Sequence, residues 1–136
     1  MWALYAVLSA VFAAVTTILA KKGLAGVNSH LATAIRTIVI LAVSWGMVFI
    51  AGAQKQLPTL TKNNILFLVL SGVATGASWL FYFKALQMGQ ASKVAPIDKL
   101  SIVFTILLAA VFLKEPFTFK TVVGMALLTG GIFVLM

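Results

Sequence analysis

The sequence lacks cysteine and contains only two acidic residues and one histidine among its 136 residues. Because cysteine is absent, the chain can form neither a disulfide framework nor a cysteine-based metal site. Two carboxylates and one histidine are too few for most metal sites and acid–base arrangements within one chain. The short motifs of zinc proteases, serine hydrolases, P-loop proteins and dinucleotide-binding folds are also missing. We therefore expect no enzyme activity, no bound metal and no cofactor.

Charged residues are scarce, at 9% of the chain, whereas 62% of the residues are hydrophobic and the mean hydropathy is +1.15. A soluble domain has about a quarter of its residues charged and about half apolar. This composition predicts an integral membrane protein. The apolar stretches are continuous, which favours helices, because barrel strands alternate apolar and polar side chains. No positively charged segment precedes the first stretch, so we expect a span there rather than a signal peptide.

The net charge of +8 does not indicate a nucleic-acid partner. The cations are scattered at the ends of the apolar stretches rather than gathered on one soluble face. Lysines in such positions are typical of chains that contact anionic lipid headgroups. The lipid bilayer is therefore the partner that the charge pattern predicts.

Five apolar stretches predict five transmembrane helices, since about twenty residues cross a hydrocarbon core of roughly 30 Å. The expected fold class is an all-α membrane protein with helices at about residues 2–20, 30–52, 63–86, 92–113 and 118–136. Asn28 or Ser29 is expected to cap the second helix. The chain has no linker, low-complexity segment or internal repeat, so residues 1–136 are expected to form one domain.

An odd number of spans places the two termini on opposite sides of the membrane. Four lysines lie on the side reached after the first helix and four on the other side. These are Lys21, Lys22, Lys84 and Lys93 on the first side, and Lys55, Lys62, Lys114 and Lys120 on the second. Arg36 and Lys99 lie nearer the first side. Because excess Lys and Arg mark the cytoplasmic side, this small bias leaves open both a single topology with the N-terminus outside and a dual topology.

Four of the predicted helices carry polar or small side chains at spacings that place them on one helix face. The four stripes are Ser9, Ala13, Thr16 and Ala20; Thr33, Arg36, Thr37 and Ser44; Ser71, Thr75, Ser78 and Tyr82; and Asp98, Ser101 and Thr105. Small and hydroxylated residues often mark helix-packing faces in membranes. The alternative is that the stripes line a shared hydrated cavity. Trp79 and Tyr82 offer rings for a planar ligand, although Trp79 also suits lipid contact or packing.

Three charged residues lie well inside predicted spans, about six residues from the nearer end, namely Arg36, Asp98 and Lys99. An ionisable group at mid-membrane costs roughly 2.5–3.5 kcal/mol on insertion scales, so it usually faces a cavity or a partner. If the second and fourth helices are adjacent, Arg36 and Asp98 can pair. A structural ion pair and a substrate- or proton-binding cluster both remain open, and the long stem of Lys99 can also reach the headgroups. Asp98 is the only acidic residue within a predicted span, which makes it the candidate for proton coupling.

Two segments resemble helix junctions of EamA-type members of the drug/metabolite transporter superfamily. Residues 85–101 contain Ala-Leu-x-x-Gly-x-Ala-x-x-Val and resemble the junction between the third and fourth helices of that family. Phe112-Leu113-Lys114-Glu115-Pro116-Phe117-Thr118, followed by glycines at 124, 130 and 131, resembles the next junction and the last helix. The hydropathy pattern extends the similarity over the whole chain. The resemblance implies one five-helix EamA-like repeat, that is, a half-size member.

Typical relatives carry two such repeats of inverted topology, with a substrate cavity between them and alternating access. The resemblance therefore implies a secondary transporter, an exporter or exchanger of a small metabolite or drug-like compound in the inner (plasma) membrane of a prokaryote. A single repeat would complete this symmetry as a homodimer, antiparallel if both topologies occur, or with a second half encoded elsewhere. A lipid-linked carrier or flippase subunit and a non-transporting accessory protein are the alternatives.

The candidate residues of the substrate pathway share polarity and position within spans. They are Arg36, Asp98, Lys99, Ser101, Thr105, Thr33, Ser78, Tyr82 and Thr75. The cations among them favour an anionic or zwitterionic substrate. We expect Glu115, at a helix junction ahead of Pro116, to supply negative charge to the N-terminus of the fifth helix.

Overall fold

The computed structural model describes all 136 residues, and every regular element in it is helical. Six α-helices follow one another along the chain: α1 (Trp2–Gly23), α2 (Ser29–Ile50), α3 (Lys62–Met88), α4 (Ala91–Asp98), α5 (Leu100–Phe112) and α6 (Phe119–Leu135). A short 3₁₀-helix, Ala53–Thr59, connects α2 to α3. The structure thus confirms that the fold is all-α.

Four segments are long and apolar enough to cross a membrane: α1, α2, α3 and the stretch Ala91–Phe112 that contains α4 and α5. The sixth helix is also apolar but has only 17 residues. At 1.5 Å per residue it measures about 26 Å, shorter than a hydrocarbon core of roughly 30 Å. Four spans are therefore established by length and composition, and the fifth stays a prediction.

Side chains at the predicted helix starts satisfy backbone N–H groups that have no partner within the helix. The side-chain oxygen of Asn28 accepts a hydrogen bond from the backbone N–H of His30 at 2.8 Å, which confirms Asn28 as the cap of α2. Thr118 accepts one from the N–H of Thr121 at 3.3 Å and caps α6. The chain turns before α2 at Gly26, whose φ of 73° lies in the left-handed region that glycine adopts freely.

The helix expected over residues 92–113 is interrupted, because α4 ends at Asp98 and α5 begins at Leu100. Pro96 lies inside α4, where it lacks an N–H and its ring crowds the carbonyl one turn earlier. The backbone crosses the break through tighter bonds: Lys99 N–H donates to the carbonyl of Pro96, and Ile102 N–H to that of Lys99, each at 3.0 Å. The fourth apolar stretch is therefore two helices joined by one tightened turn at Lys99, whose φ of −71° and ψ of −6° stay in the helical region.

The backbone contacts divide the chain into two compact units. The first, unit 1, comprises Met1–Ile18 and Met88–Met136. Within it α6 packs against both α4 and α5, and Ile132 of α6 is buried. The Lys93 ammonium donates a hydrogen bond to the main-chain oxygen of Met136 at 2.7 Å. The start of α4 and the end of α6 consequently lie at the same end of unit 1.

The second, unit 2, comprises Leu19–Gln87 and contains the end of α1, all of α2 and nearly all of α3. Its buried side chains are Ala20, Leu24, Ser29, Thr33, Phe83 and Leu86, which come from the end of α1, the following turn, the start of α2 and the end of α3. Two hydrogen bonds join the same segments. Lys21 donates to the carbonyl of Leu86 at 2.6 Å, and Gln87 to the carbonyl of Val27 at 2.7 Å. The core of unit 2 therefore lies at this helix junction.

Phe83→Ala should destabilise the protein much more than Phe81→Ala, although both lie on α3. Phe83 is 2% exposed and Phe81 is 78% exposed. Removing a packed aromatic side chain costs about 3–5 kcal/mol, whereas an exposed substitution usually changes stability by less than about 0.5 kcal/mol. The measurement is thermal unfolding of the purified protein in phosphatidylcholine nanodiscs. Equal losses for the two variants would contradict the position of this core.

Candidate functional site

The nine residues predicted for the substrate pathway are divided between the two units. Unit 2 contains Thr33, Arg36, Thr75, Ser78 and Tyr82, and unit 1 contains Asp98, Lys99, Ser101 and Thr105.

Arg36 of α2 stacks on an aromatic ring of α3. Its guanidinium carbon lies 4.5 Å from the centroid of the Phe83 ring, a cation–π contact. Phe83 is itself held edge-on by Tyr82, with the two ring centroids 5.5 Å apart. Arg36 forms no hydrogen bond or salt bridge, and its Nε is buried without a partner. A buried donor left unsatisfied costs about 1–3 kcal/mol. The surroundings of Arg36 therefore lack a hydrogen-bond acceptor that would stabilise it.

Unit 2 contains no carboxylate that could neutralise Arg36. The two acidic residues of the chain, Asp98 and Glu115, both belong to unit 1. Unit 2 has six cationic side chains: Lys21, Lys22, Arg36, Lys55, Lys62 and Lys84. The lysines lie at or near helix ends, where headgroups and water can solvate them. Arg36 lies seven residues into α2, about 10 Å along the helix, and is the cation of this unit that is placed deepest in a span.

A cavity of about 350 Å³ lies beside Arg36. We call it the Arg36 pocket; it is lined by Leu19, Ala20, Gly23, Leu24, Val27, Ala32, Ile35, Arg36 and Phe83. Arg36 is the single charged residue of this lining, and the other side chains are aliphatic or aromatic or, at Gly23, absent. Its volume falls in the range of small-molecule sites, which are mostly apolar with a few placed polar groups.

A second cavity of about 440 Å³ lies between α2 and α3. This α2–α3 groove is lined by Thr37, Ile40, Leu41, Ser44, Trp45, Leu68, Ser71, Gly72, Thr75, Gly76 and Trp79. It brings the predicted residue Thr75 together with three other hydroxyls of the polar stripes, whereas Ser78 and Tyr82 are not part of the lining. Sequence reasoning missed Trp45, although its spacing of four and eight residues from Leu41 and Thr37 places it on the same helix face.

Four of the five threonines in the stripes use their hydroxyl protons within their own helices. Thr33, Thr37, Thr75 and Thr105 each donate to the carbonyl four residues earlier, at 2.8–2.9 Å. This bond lets a hydroxyl lie in an apolar environment without a further partner. The stripes alone therefore do not require a hydrated path. The oxygen of each threonine hydroxyl can still accept a hydrogen bond from a ligand.

The Asp98 carboxylate is paired with the neighbouring Lys99 ammonium at 3.4 Å, at the break between α4 and α5. Both side chains are partly exposed, at 36% and 53%. An exposed pair of this kind contributes only about 0–1 kcal/mol, so it can exchange partners readily. Asp98 ends α4 and lies two residues before α5 begins, near the N-terminal end of the α5 dipole, which favours a negative charge. Ser101 lies in the first turn of the same helix, and the structure therefore gathers Asp98, Lys99 and Ser101 around one break.

Thr105 lines a smaller cavity of about 190 Å³ in unit 1, together with Glu115, Pro116 and Thr121. Sequence reasoning assigned Glu115 to the N-terminus of the last helix rather than to a cavity. The nearby Thr118 caps α6 with its own side chain. Three residues with acceptor oxygens, Thr105, Glu115 and Thr121, thus share one small cavity.

The apolar helices make the chain an integral membrane protein, and the comparisons specify its class. The chain belongs to the EamA-like transporter family, whose sequence profile matches residues 1–136. It is 46% identical over 134 residues to a protein of Sinorhizobium sp named "Uncharacterized transporter in cobO 3'region". That alignment covers 98% of this chain and 95% of the relative. No solved structure matches the chain. These findings confirm the family resemblance and identify a membrane transporter.

The absence of cysteine allows a clean accessibility test of the α2–α3 groove. Ser71→Cys places a thiol on the groove lining, and Val73→Cys places one on an exposed position that is not part of it. If water enters the groove, a charged methanethiosulfonate reagent should modify Cys at 71 at least tenfold faster than Cys at 73. The rates are measured by mass spectrometry in proteoliposomes. Equal protection at both positions would show that lipid or a partner helix fills the groove.

Proposed function

We propose that this membrane transporter is a secondary transporter, an exporter or exchanger of a small metabolite or drug-like compound that works by alternating access. The observation that carries the proposal is the discontinuous helix at Lys99, which places Asp98, Lys99 and Ser101 at a break in an apolar stretch. Irregular backbone at membrane depth is tolerated where it lines a cavity, and discontinuous helices form substrate and ion sites in transporters. Asp98 is then the proton-coupling residue.

The proposal includes five spans that form one EamA-like domain over residues 1–136. Its support is the course of α6, which packs along both α4 and α5 and ends beside Lys93 at the start of α4. A helix that runs back along the whole length of a membrane-spanning stretch crosses the same membrane. The 17 residues of α6 lie at the lower limit for a span.

The proposed working unit is a homodimer of antiparallel copies. The near balance of lysines between the two sides supports it, because neither orientation is strongly favoured. The faces of five membrane-helix glycines support it as well. At Gly72, Gly76, Gly124, Gly130 and Gly131 an added Cβ would meet no atom within 4 Å, so these small faces stay open to a partner helix. The organism of the relative is a bacterium, which supports the inner membrane of a prokaryote as the location.

The proposed substrate pathway keeps the predicted residues in two roles. Arg36, with Thr33 and Tyr82 beside it on α2 and α3, is the cationic binding group. Thr75 belongs to the α2–α3 groove, where Ser71 and Ser44 also offer hydroxyl oxygens. Ser78 lies one turn further along α3, and Ser101 and Thr105 continue from the break along α5. The groove and the break thus supply acceptors, and Arg36 supplies the positive charge.

Asp98→Asn should abolish the pH dependence of transport, while Glu115→Gln, which neutralises the other acid, should leave it intact. The amide cannot bind and release a proton, so the driving step is lost even if the substrate still binds. The measurement is current on solid-supported membranes loaded with proteoliposomes, in a screen across anionic, zwitterionic and cationic metabolites at pH 6 and 8. Transport by Asp98→Asn with the pH response of the unchanged protein would remove Asp98 from coupling, and no transport of any class would contradict the function.

Reporter fusions at the C-terminus should be active on both sides of the membrane if the copies are antiparallel. Alkaline phosphatase reports the outside and green fluorescent protein the inside. Two exposed glutamines, Gln56 and Gln90, lie at opposite ends of the spans. Because added lysines favour the cytoplasmic side, Gln56→Lys and Gln90→Lys should move the ratio of the two reporter signals in opposite directions. Activity of one reporter alone, unmoved by either lysine, would exclude dual topology.

A further inference from the structure

The Arg36 pocket combines a positive charge that has no counter-charge with an apolar cavity of small-molecule size. The guanidinium carbon of Arg36 lies 4.5 Å from the centroid of the Phe83 ring, and a guanidinium directs its N–H groups outward in its own plane. Because Nε is buried, the two terminal nitrogens are the donors that a ligand would meet. They offer paired donors with the geometry that carboxylate and phosphate groups accept. The charge and the donors therefore require an anion.

The remainder of the pocket lining requires the rest of the ligand to be apolar. Leu19, Leu24, Val27 and Ile35 surround the cavity, and no hydroxyl or amide side chain belongs to it. The walls are firmly placed, because Lys21 and Gln87 tie the ends of α1 and α3 and the intervening turn together. A small hydrophilic anion such as inorganic phosphate would leave most of this surface unfilled.

We propose that the Arg36 pocket binds an amphiphilic organic anion, whose carboxylate or phosphate group meets the terminal nitrogens of Arg36 while an apolar body fills the aliphatic cavity. This ligand is the transported substrate class if the proposed function holds. Two sources carry the same chemistry, a water-soluble organic anion and the phosphate of an anionic lipid. The binding chemistry is common to both, and the experiment separates them.

The test is equilibrium binding of three probes to the full chain in phosphatidylcholine nanodiscs, by calorimetry with empty nanodiscs as the reference. The probes are 2-naphthoate, its neutral analogue 2-naphthamide, and inorganic phosphate. We expect saturable binding of 2-naphthoate, and binding at least tenfold weaker for the amide, which lacks the charge, and for phosphate, which lacks the apolar body. Equal affinities for 2-naphthoate and 2-naphthamide would overturn the proposal.

Matched variants locate the site. Arg36→Gln should weaken 2-naphthoate binding at least tenfold and Arg36→Lys less. Lys84→Gln removes the same charge from the same unit outside the pocket and should change it less than twofold. If Arg36→Gln fails to fold, Gly23→Leu tests whether the probe occupies the pocket while Arg36 is kept. A Cβ at Gly23 meets no atom within 4 Å, so the leucine extends into the open pocket and should displace the probe. Unchanged binding in both variants would overturn the proposal.

The two sources are separated with nanodiscs that contain phosphatidylglycerol, followed by native mass spectrometry. Retention of phosphatidylglycerol by the unchanged protein and by Lys84→Gln, but not by Arg36→Gln, identifies the lipid as the occupant. Binding of 2-naphthoate without such retention identifies a soluble anion. If binding of neither ligand depends on Arg36, the proposal is overturned. Because binding needs no transport, a failure of the transport screen with intact Arg36-dependent binding contradicts only the proposed function.

Discussion

The absence of water in the bilayer core is the constraint on which this structure depends, because each polar group in a span needs a partner from the chain. Four stripe threonines meet it by bonding to carbonyls of their own helices. At helix ends, Asn28 and Thr118 bind exposed N–H groups. Lys21 and Gln87 use side-chain donors to close the junction of α1, α2 and α3 on backbone carbonyls. These bonds make polar residues compatible with lipid, so polarity alone does not mark the site.

The functional candidates are the places where this constraint is met least well. The break between α4 and α5 replaces regular helical bonds with tighter ones around Pro96, and it leaves a loosely held ion pair there. Arg36 has an aromatic face but no hydrogen bond and no carboxylate from its own unit. The unsatisfied Arg36 donor costs stability, and the exposed Asp98–Lys99 pair adds little to it. A structure that retains unsatisfied groups at membrane depth is typical of a binding or transport site.

Much of the helical layout follows from the sequence, because continuous apolar runs in lipid leave helices as the solution and Asn28 is a recognisable cap. The break was not predicted, although Pro96 was its visible signal. Membrane helices often tolerate proline as a kink, so local sequence does not decide between a kink and an interruption. The Arg36 pocket lies beyond sequence reasoning for another reason. Helical spacing places Arg36 on a face of α2, but it does not say that Phe83, almost fifty residues later, lies beneath it.

The position of the Arg36 charge bears on the proposed transport. Headgroups can neutralise the lysines at the helix ends of unit 2, whereas Arg36 lies about 10 Å along α2 from its first residue. Unit 2 holds no carboxylate, so an anion that pairs with Arg36 comes from outside this unit. A ligand shifts a conformational equilibrium only as far as it binds one state better than another. In the proposed transport cycle, a ligand at Arg36 would therefore drive a change of conformation only to the extent that the two conformations hold this charge differently.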